Sequence, residues 1–232
     1  MTSRAPKIYT GNPESSPHAI AAYARFIAAL DHVPTEILSV VAAGEKHPAR
    51  FLNPHIVTAI RTIDGQAVPI TREYLPSRRA IAVLVIDRAE PHDVFLVQEF
   101  FPAYNVADPS TPAASLVAGL IDGDETPAET ARREIFEELG LTAEVKGLIM
   151  PESYPSPSIS QTTISMHWAV VNGRELQSKW RIGDNEATRP VQIGMEDFIA
   201  IGREYHGHPI PMNWRIAAGW LQRHRDDLSR MM

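Results

Sequence analysis

Residues 119–141 read GLIDGDETPAETARREIFEELGL, and the reading of this stretch decides the fold. Thr126-Pro127 predicts a helix start: a hydroxyl N-cap, then proline at the first helical position, where a missing N–H costs nothing. Glu129, three residues after Thr126, completes a capping box. Gly140 after Leu139 predicts the stop. Between them Ala131, Ile135 and Leu139 recur every four residues and predict a buried stripe. Glu134 and Glu138 are also four apart and stack on one face, with Glu137 bordering it. Like charges at that spacing repel. A chain tolerates this most readily when divalent cations neutralise the cluster, and hard oxygen donors of this kind suit Mg2+, with Mn2+ as the alternative.

Outward from this helix the chain alternates strands and helices. Residues 115–120 form a short strand leading into the loop before the helix. Upstream, 80–87 (AIAVLVID) and 93–100 (DVFLVQEF) read as two core strands joined by a turn at Glu90-Pro91. Downstream, 143–150, 162–171 and 190–195 read as strands, and 196–205 and 213–223 as closing helices. Residues 35–78 alternate apolar runs with turn signals at Asp64-Gly65, Pro69 and Pro76, and predict a small set of strands. Residues 17–30 predict a helix with Ile20, Tyr23, Ala24, Ile27 and Leu30 on one side, preceded by a polar stretch rich in Pro, Ser and Gly. Strands on both sides of a helix, then more strands and helices, predict an α/β chain with a mixed sheet between helical layers.

Composition narrows the function. The chain has 232 residues, 44% of them hydrophobic, enough for a sizeable core. A net charge of −6 argues against a broad phosphate-backbone footprint, so no nucleic-acid partner is expected. The absence of cysteine excludes disulfides, zinc–thiolate sites and a cysteine nucleophile. The start, MTSRAPKIYTGNPESSPHAI, lacks the apolar core of a signal peptide, and no run approaches the roughly 20 apolar residues of a membrane span. No membrane partner and a cytoplasmic location are the resulting expectations.

The opening stretch also fits a fixed pattern: Gly119, five residues, Glu125, seven residues, then Arg133, Glu134, Ile135, Phe136, Glu137, Glu138, Leu139, Gly140 and Leu141. This resembles the signature of the Nudix hydrolases. A solvated acidic face accounts for an isolated pair of glutamates, but here the glycines, Glu125, Arg133 and both aliphatic positions coincide with the carboxylates. The resemblance implies a Nudix-type α/β/α sandwich with a mixed sheet over residues 78–232, and an N-terminal extension over 1–77 made of a helix and short strands. It implies attack of water on a phosphorus of a nucleoside diphosphate linked to another moiety. Glu134 and Glu138 would be metal ligands, and Glu137 either a third ligand or the acceptor of the water's proton. The carbonyl of Ala118, the residue before the glycine, would add a ligand. Arg133 would hold Glu125 or a neighbouring carboxylate by bidentate bonds, against the plainer reading of a surface salt bridge.

The surroundings of the motif resemble the ADP-ribose pyrophosphatase subgroup. LVAGLIDGDE is similar to its lead-in to the helix, and FLVQEFFPAYN at 95–105 to one of its strands. Pro157, 16 residues beyond Leu141 in YPSPSIS, is similar to the proline that marks the subgroup. Three positions depart from its pattern: Gln161 and Thr162 stand where Asp-Glu is usual, and Phe101 where arginine is usual. A replacement base would be Glu186 or Glu152, with Glu186 preferred because such enzymes often carry acidic residues in that late loop. The resemblance further implies a homodimer formed through the N-terminal region.

The remaining candidates are weighed on their chemistry. Phe100, Phe101 and Tyr104 could stack on an adenine, although Phe100 reads better as core. Arg78 and Arg79 could meet phosphates or simply be a solvated lead-in to a strand. Tyr154 could line a pocket or pack. His206 and His208 read as a polar turn, and Trp214 and Trp220 as the apolar side of a packed helix. The substrate expectation is ADP-ribose or a related nucleotide-sugar. The alternatives are another diphosphate (a dinucleotide, a coenzyme or a nucleoside triphosphate) or a nucleotide-binding domain without catalysis.

Overall fold

The apolar run at 80–87 becomes the middle of a mixed sheet. A computed structural model describes residues 14–33, 54–63, 66–89, 91–105, 113–182, 187–207 and 209–232, with backbone only at 61–63, 68, 103 and 104. In chain order the elements are α1 (Pro17–Ala29), β1 (His55–Ile63), β2 (Gln66–Tyr74), β3 (Arg79–Asp87), β4 (Val94–Gln98), α2 (Pro102–Asn105), β5 (Ala114–Ser115) and β6 (Val117–Leu120). There follow α3 (Pro127–Leu139), β7 (Ala143–Ser153), β8 (Thr163–Val171), β9 (Arg181–Ile182), β10 (Ala187–Ile193), α4 (Met195–Glu204), α5 (Met212–His224) and α6 (Leu228–Met231). The main sheet runs β7-β8-β3-β4-β10-β9, with β6 added on β3 and β5 on β4. Strand β3 pairs in parallel with β8 from Arg79–Thr163 to Asp87–Val171, and antiparallel with β6 and β4.

Both faces of β3 are covered, which is why it reads as a continuous apolar run rather than an alternating one. Ile81, Val83 and Val85 join Phe95, Val97 and Val117 under Ala131, Ile135 and Leu139 of α3. Ala82, Leu84 and Ile86 point the other way, onto Phe198, Trp214, Ala217 and Leu221 of α4 and α5. Ile81 through Ile86 are fully buried, each large side chain being worth about 1.5–3 kcal/mol of transfer free energy. The result is the expected sheet between helical layers, with α3 alone on one side among the described helices. No described helix is long and apolar enough to cross a membrane.

Two local expectations are corrected. Helix α1 forms, capped by Ser16, but buries Ala19, Ala22, Phe26 and Leu30, while Ile20 is 53% exposed. Its neighbours select the face: Tyr23 stacks on Tyr205 at 3.9 Å and Phe26 meets the edge of Trp214 at 5.1 Å. Small alanines let α1 approach α4, so it lies in the same core as α4 and α5. Phe100, expected in the core, is 48% exposed because β4 ends at Gln98 and the chain leaves the sheet there. The strands expected within 35–78 include the antiparallel hairpin β1–β2, in register from His55–Tyr74 to Ile63–Gln66; its Asp64-Gly65 turn lies outside the described residues, as do 34–53.

Candidate active site

Helix α3 is fixed at both ends by local chemistry. Thr126 accepts from the Glu129 N–H, and the Glu129 carboxylate accepts from the Thr126 N–H at 2.8 Å, closing the capping box. At the other end Gly140 takes the left-handed conformation, φ 71°, and Arg181 donates to the Leu139 carbonyl at 3.3 Å. A cation there also complements the helix dipole. With the helix ends and the buried stripe set, Glu134, Glu137 and Glu138 are turned away from the core.

One guanidinium gathers the loop and the helix. Arg133 donates from Nε to Glu125 Oε1 (3.0 Å), from Nη1 to Glu134 Oε1 (2.8 Å) and Glu137 Oε2 (3.1 Å), and from Nη2 to the Leu120 carbonyl (3.0 Å) and Glu125 Oε2 (3.1 Å). Thr130, buried within α3, donates its hydroxyl to Glu125 Oε2 at 2.8 Å. These bonds from Arg133 first, then Thr130, hold the Glu125 carboxyl down at about 2. The same carboxylates push Arg133 above the ordinary guanidinium value, with Glu125 the main cause.

Glu134 lies against the start of the loop. A Cβ added to Gly119 would sit 1.8 Å from Glu134 Oε1, so only glycine leaves room for that carboxylate. Ala118, one residue earlier, sits in β6 opposite Ala82. Glu137 has a side chain 55% exposed, whereas that of Glu134 is 12% exposed and Glu138 Oε2 is buried. Among the described residues no three acidic or histidine side chains converge as a ligand set. Arg133 stands between Glu134 and Glu137 and neutralises both. The donor types fit a hard divalent cation: the Glu134 carboxylate lies beside a loop backbone that glycine brings close, with the carboxylates of Glu137 and Glu138 on the same helix.

Beside this loop a cavity of about 430 Å3 is lined by Arg78, Arg79, Leu120, Ile121, Asp122 and Gly123. Arg79 therefore lies next to the motif. It also donates to Glu152 at 3.1 Å, and Glu152 accepts from the Thr163 hydroxyl. These bonds, Thr163 foremost, hold Glu152 below the usual carboxylate range. Phe101 and Pro157 do not line the cavity. Phe101 is half-buried before α2, its N–H donated to Asn105 Oδ1, and Pro157 is exposed in the turn at 156–160. The side chain of Tyr104 and all of Glu186 and His208 lie outside the described residues. Tyr154 is 59% exposed.

Sequence reasoning missed Thr130, Thr163 and a pair on β8. Ser165 Oγ lies 3.1 Å from His167 Nε2, and burial favours the neutral imidazole. Ser165 is level with Ile81, which is level in turn with Gly119, so this pair shares the α3 side of the sheet with the loop. The signal was present: polar residues two apart in the otherwise apolar strand TISMHWAVV, and a threonine adjoining a helix's buried stripe.

A family model for the NUDIX domain matches residues 76–211, more than half of the chain. The chain belongs to the Nudix family, and it is a hydrolase of phosphoanhydride bonds. Within that family it is similar to the ADP-sugar pyrophosphatase of Mus musculus, with 27% identity over 155 residues, 63% of this chain and 68% of that protein.

Proposed function

We propose that the chain is an Mg2+-dependent pyrophosphatase that hydrolyses ADP-ribose or a related nucleotide-sugar to AMP, or another nucleoside monophosphate, and a sugar phosphate. The observation that carries this reading is the Glu134 carboxylate seated against Gly119, with Glu137 and Glu138 beside it on a helix locked to the loop through Arg133. Similarity to an ADP-sugar pyrophosphatase supports the substrate class.

In this reading Glu134, Glu138 and the Ala118 carbonyl would hold the cation, with Glu137 as a third ligand or as the proton acceptor. A bound divalent cation neutralises charge on the diphosphate and raises the acidity of water. Arg133 keeps Glu134 and Glu137 in place and keeps Glu125 ionised. Glu137, exposed and held by one bond from Arg133, is the group best placed to take a proton at a carboxylate oxygen. Glu186 is the alternative acceptor; Glu152 is already engaged by Arg79 and Thr163. Arg79 binds a phosphate, Phe101 and Tyr104 offer rings for the base, and the Pro157 loop borders the sugar. Residues 78–232 form the catalytic unit, while 1–77 extend it and join two subunits as a homodimer in the cytoplasm.

A second reading, favoured by Phe101, Gln161 and Thr162 at positions where the subgroup differs, gives the same chemistry a different diphosphate. A panel of nucleotide-sugars, dinucleotides, coenzymes and nucleoside triphosphates, assayed for nucleoside monophosphate and phosphosugar release, separates the two. Highest kcat/KM on ADP-ribose or another nucleotide-sugar supports the first reading. Equal turnover across the panel removes it.

A further inference from the structure

The side of the sheet away from α3 carries an unexplained concentration of positive charge. Along the outer side of α5 opens a cleft of about 770 Å3, lined by Arg215, Trp220, Arg223 and His224 among others of that helix, by Arg203 of α4 and by Ile149 of β7. Its origin is helical spacing. Arg215, Gly219 and Arg223 recur every four residues along α5, and Ile216, Trp220 and His224 form the adjacent row. Helix α4 supplies Arg203, whose guanidinium passes over α5 where Gly219 leaves space: Nη1 lies 3.5 Å from where a Cβ would be. The two helices come this close because Gly202 faces Ala218, 2.4 Å from where its own Cβ would sit.

These arginines stand together in one cleft. Arg25, Arg88 and Arg225 each hold a carboxylate, on Asp197, Glu144 and Glu196 respectively. Among the described residues Arg203, Arg215 and Arg223 have no ion pair, in a chain of net charge −6. Arg215 is anchored by bonds to the Gly202 and Tyr205 carbonyls (3.1 and 3.0 Å), which fixes one charge at the cleft wall. Guanidinium groups are the side chains best matched to phosphate oxygens. A flat apolar surface adjoins them. Trp220 stacks on His224 at 4.5 Å, and a second pocket of about 230 Å3, apolar and sharing Met212 and Ile216 with the cleft, opens beside it.

We propose that this cleft is a second ligand site, separate from the α3 carboxylates, that takes a phosphate-bearing compound with a flat ring, a nucleotide being the simplest case. The phosphate lies among Arg203, Arg215 and Arg223, and the ring lies toward Trp220 and the apolar pocket. The proposal does not depend on which diphosphate the α3 face cleaves.

The test is a calorimetric titration of the full chain, in EDTA, with three probes: AMP, adenosine and inorganic phosphate. It is repeated on the double variant R203Q/R223Q, whose two positions are exposed and leave the Arg215 anchor intact. AMP should bind the wild-type chain, with adenosine and phosphate each weaker by roughly tenfold or more, and the double variant should lose roughly tenfold or more in AMP affinity. Hydrolytic kcat and thermal midpoint should be unchanged in that variant. Equal AMP affinity in the two proteins, or no AMP binding at all, overturns the site. Phosphate binding as tightly as AMP overturns the ring component.

Discussion

Helices α3 and α5 have the same length and lie on opposite sides of one sheet, and each gathers charge of one sign: Glu134 and Glu138 four apart on α3, Arg215 and Arg223 eight apart on α5 with Arg203 of α4 reaching in between. They differ in how the charge is compensated. On α3 the carboxylates are gathered by Arg133, which also ties them to Glu125 and the Leu120 carbonyl. On α5 the arginines meet backbone carbonyls and solvent. Crowded like charge repels in either sign, so what neutralises it indicates what a face is for. The acidic face has its counter-charge built in from its own helix, in a position where a cation can take over part of that task. The basic face has none among the described residues, and an anion from outside would supply it.

The comparison breaks most sharply at Gly119. The three atoms nearest to its Cβ would all belong to the Glu134 side chain, so Gly119→Ala should displace that carboxylate while the fold survives. Hydrolysis should fall by about 100-fold, the scale of a misplacement near 1 Å, with little change in thermal midpoint. Unchanged kcat would show that the Glu134 position does not matter. Ile135→Ala attacks the same helix from its buried side. It should lower unfolding free energy by about 2–5 kcal/mol in denaturant titration, while the protein that remains folded keeps its turnover. A loss of activity without loss of stability would contradict the separation of faces on α3.

The smallest effect is a pH dependence. Glu125 is held at about 2 in the folded chain, below the ordinary 4.5. A depressed carboxyl contributes stability above its unfolded value and loses it as pH falls through the folded one. Thermal midpoints should therefore decline from about pH 4.5 down toward 2, and Glu125→Gln should flatten that part of the curve. An identical profile in the variant would mean that other carboxyls carry the acid sensitivity.

What could be read from the sequence was what is local. The capping box, the Gly140 stop and the Ala131–Ile135–Leu139 stripe need only neighbours along the chain, and α3 formed as read. The face of α1 was not legible, because Tyr205 and Trp214 decide it from far along the chain. Nor was the seat of Glu134 against Gly119, which needs the loop to turn back on the helix. The engagement of Glu152 by Arg79 and Thr163 arises from β3 and β8 lying in parallel, a pairing no short-range pattern specifies. The basic cleft likewise needs Arg203 from α4 to meet α5.

The central claim is that the acidic face of α3 performs phosphoanhydride hydrolysis. Its most direct test is the Mg2+-supported kcat of Glu138→Gln beside that of the wild-type chain, on the best substrate of the panel, with circular dichroism and thermal midpoint recorded on both. A loss of at least about 100-fold with an unchanged fold is expected. Turnover retained in a folded Glu138→Gln protein would contradict it.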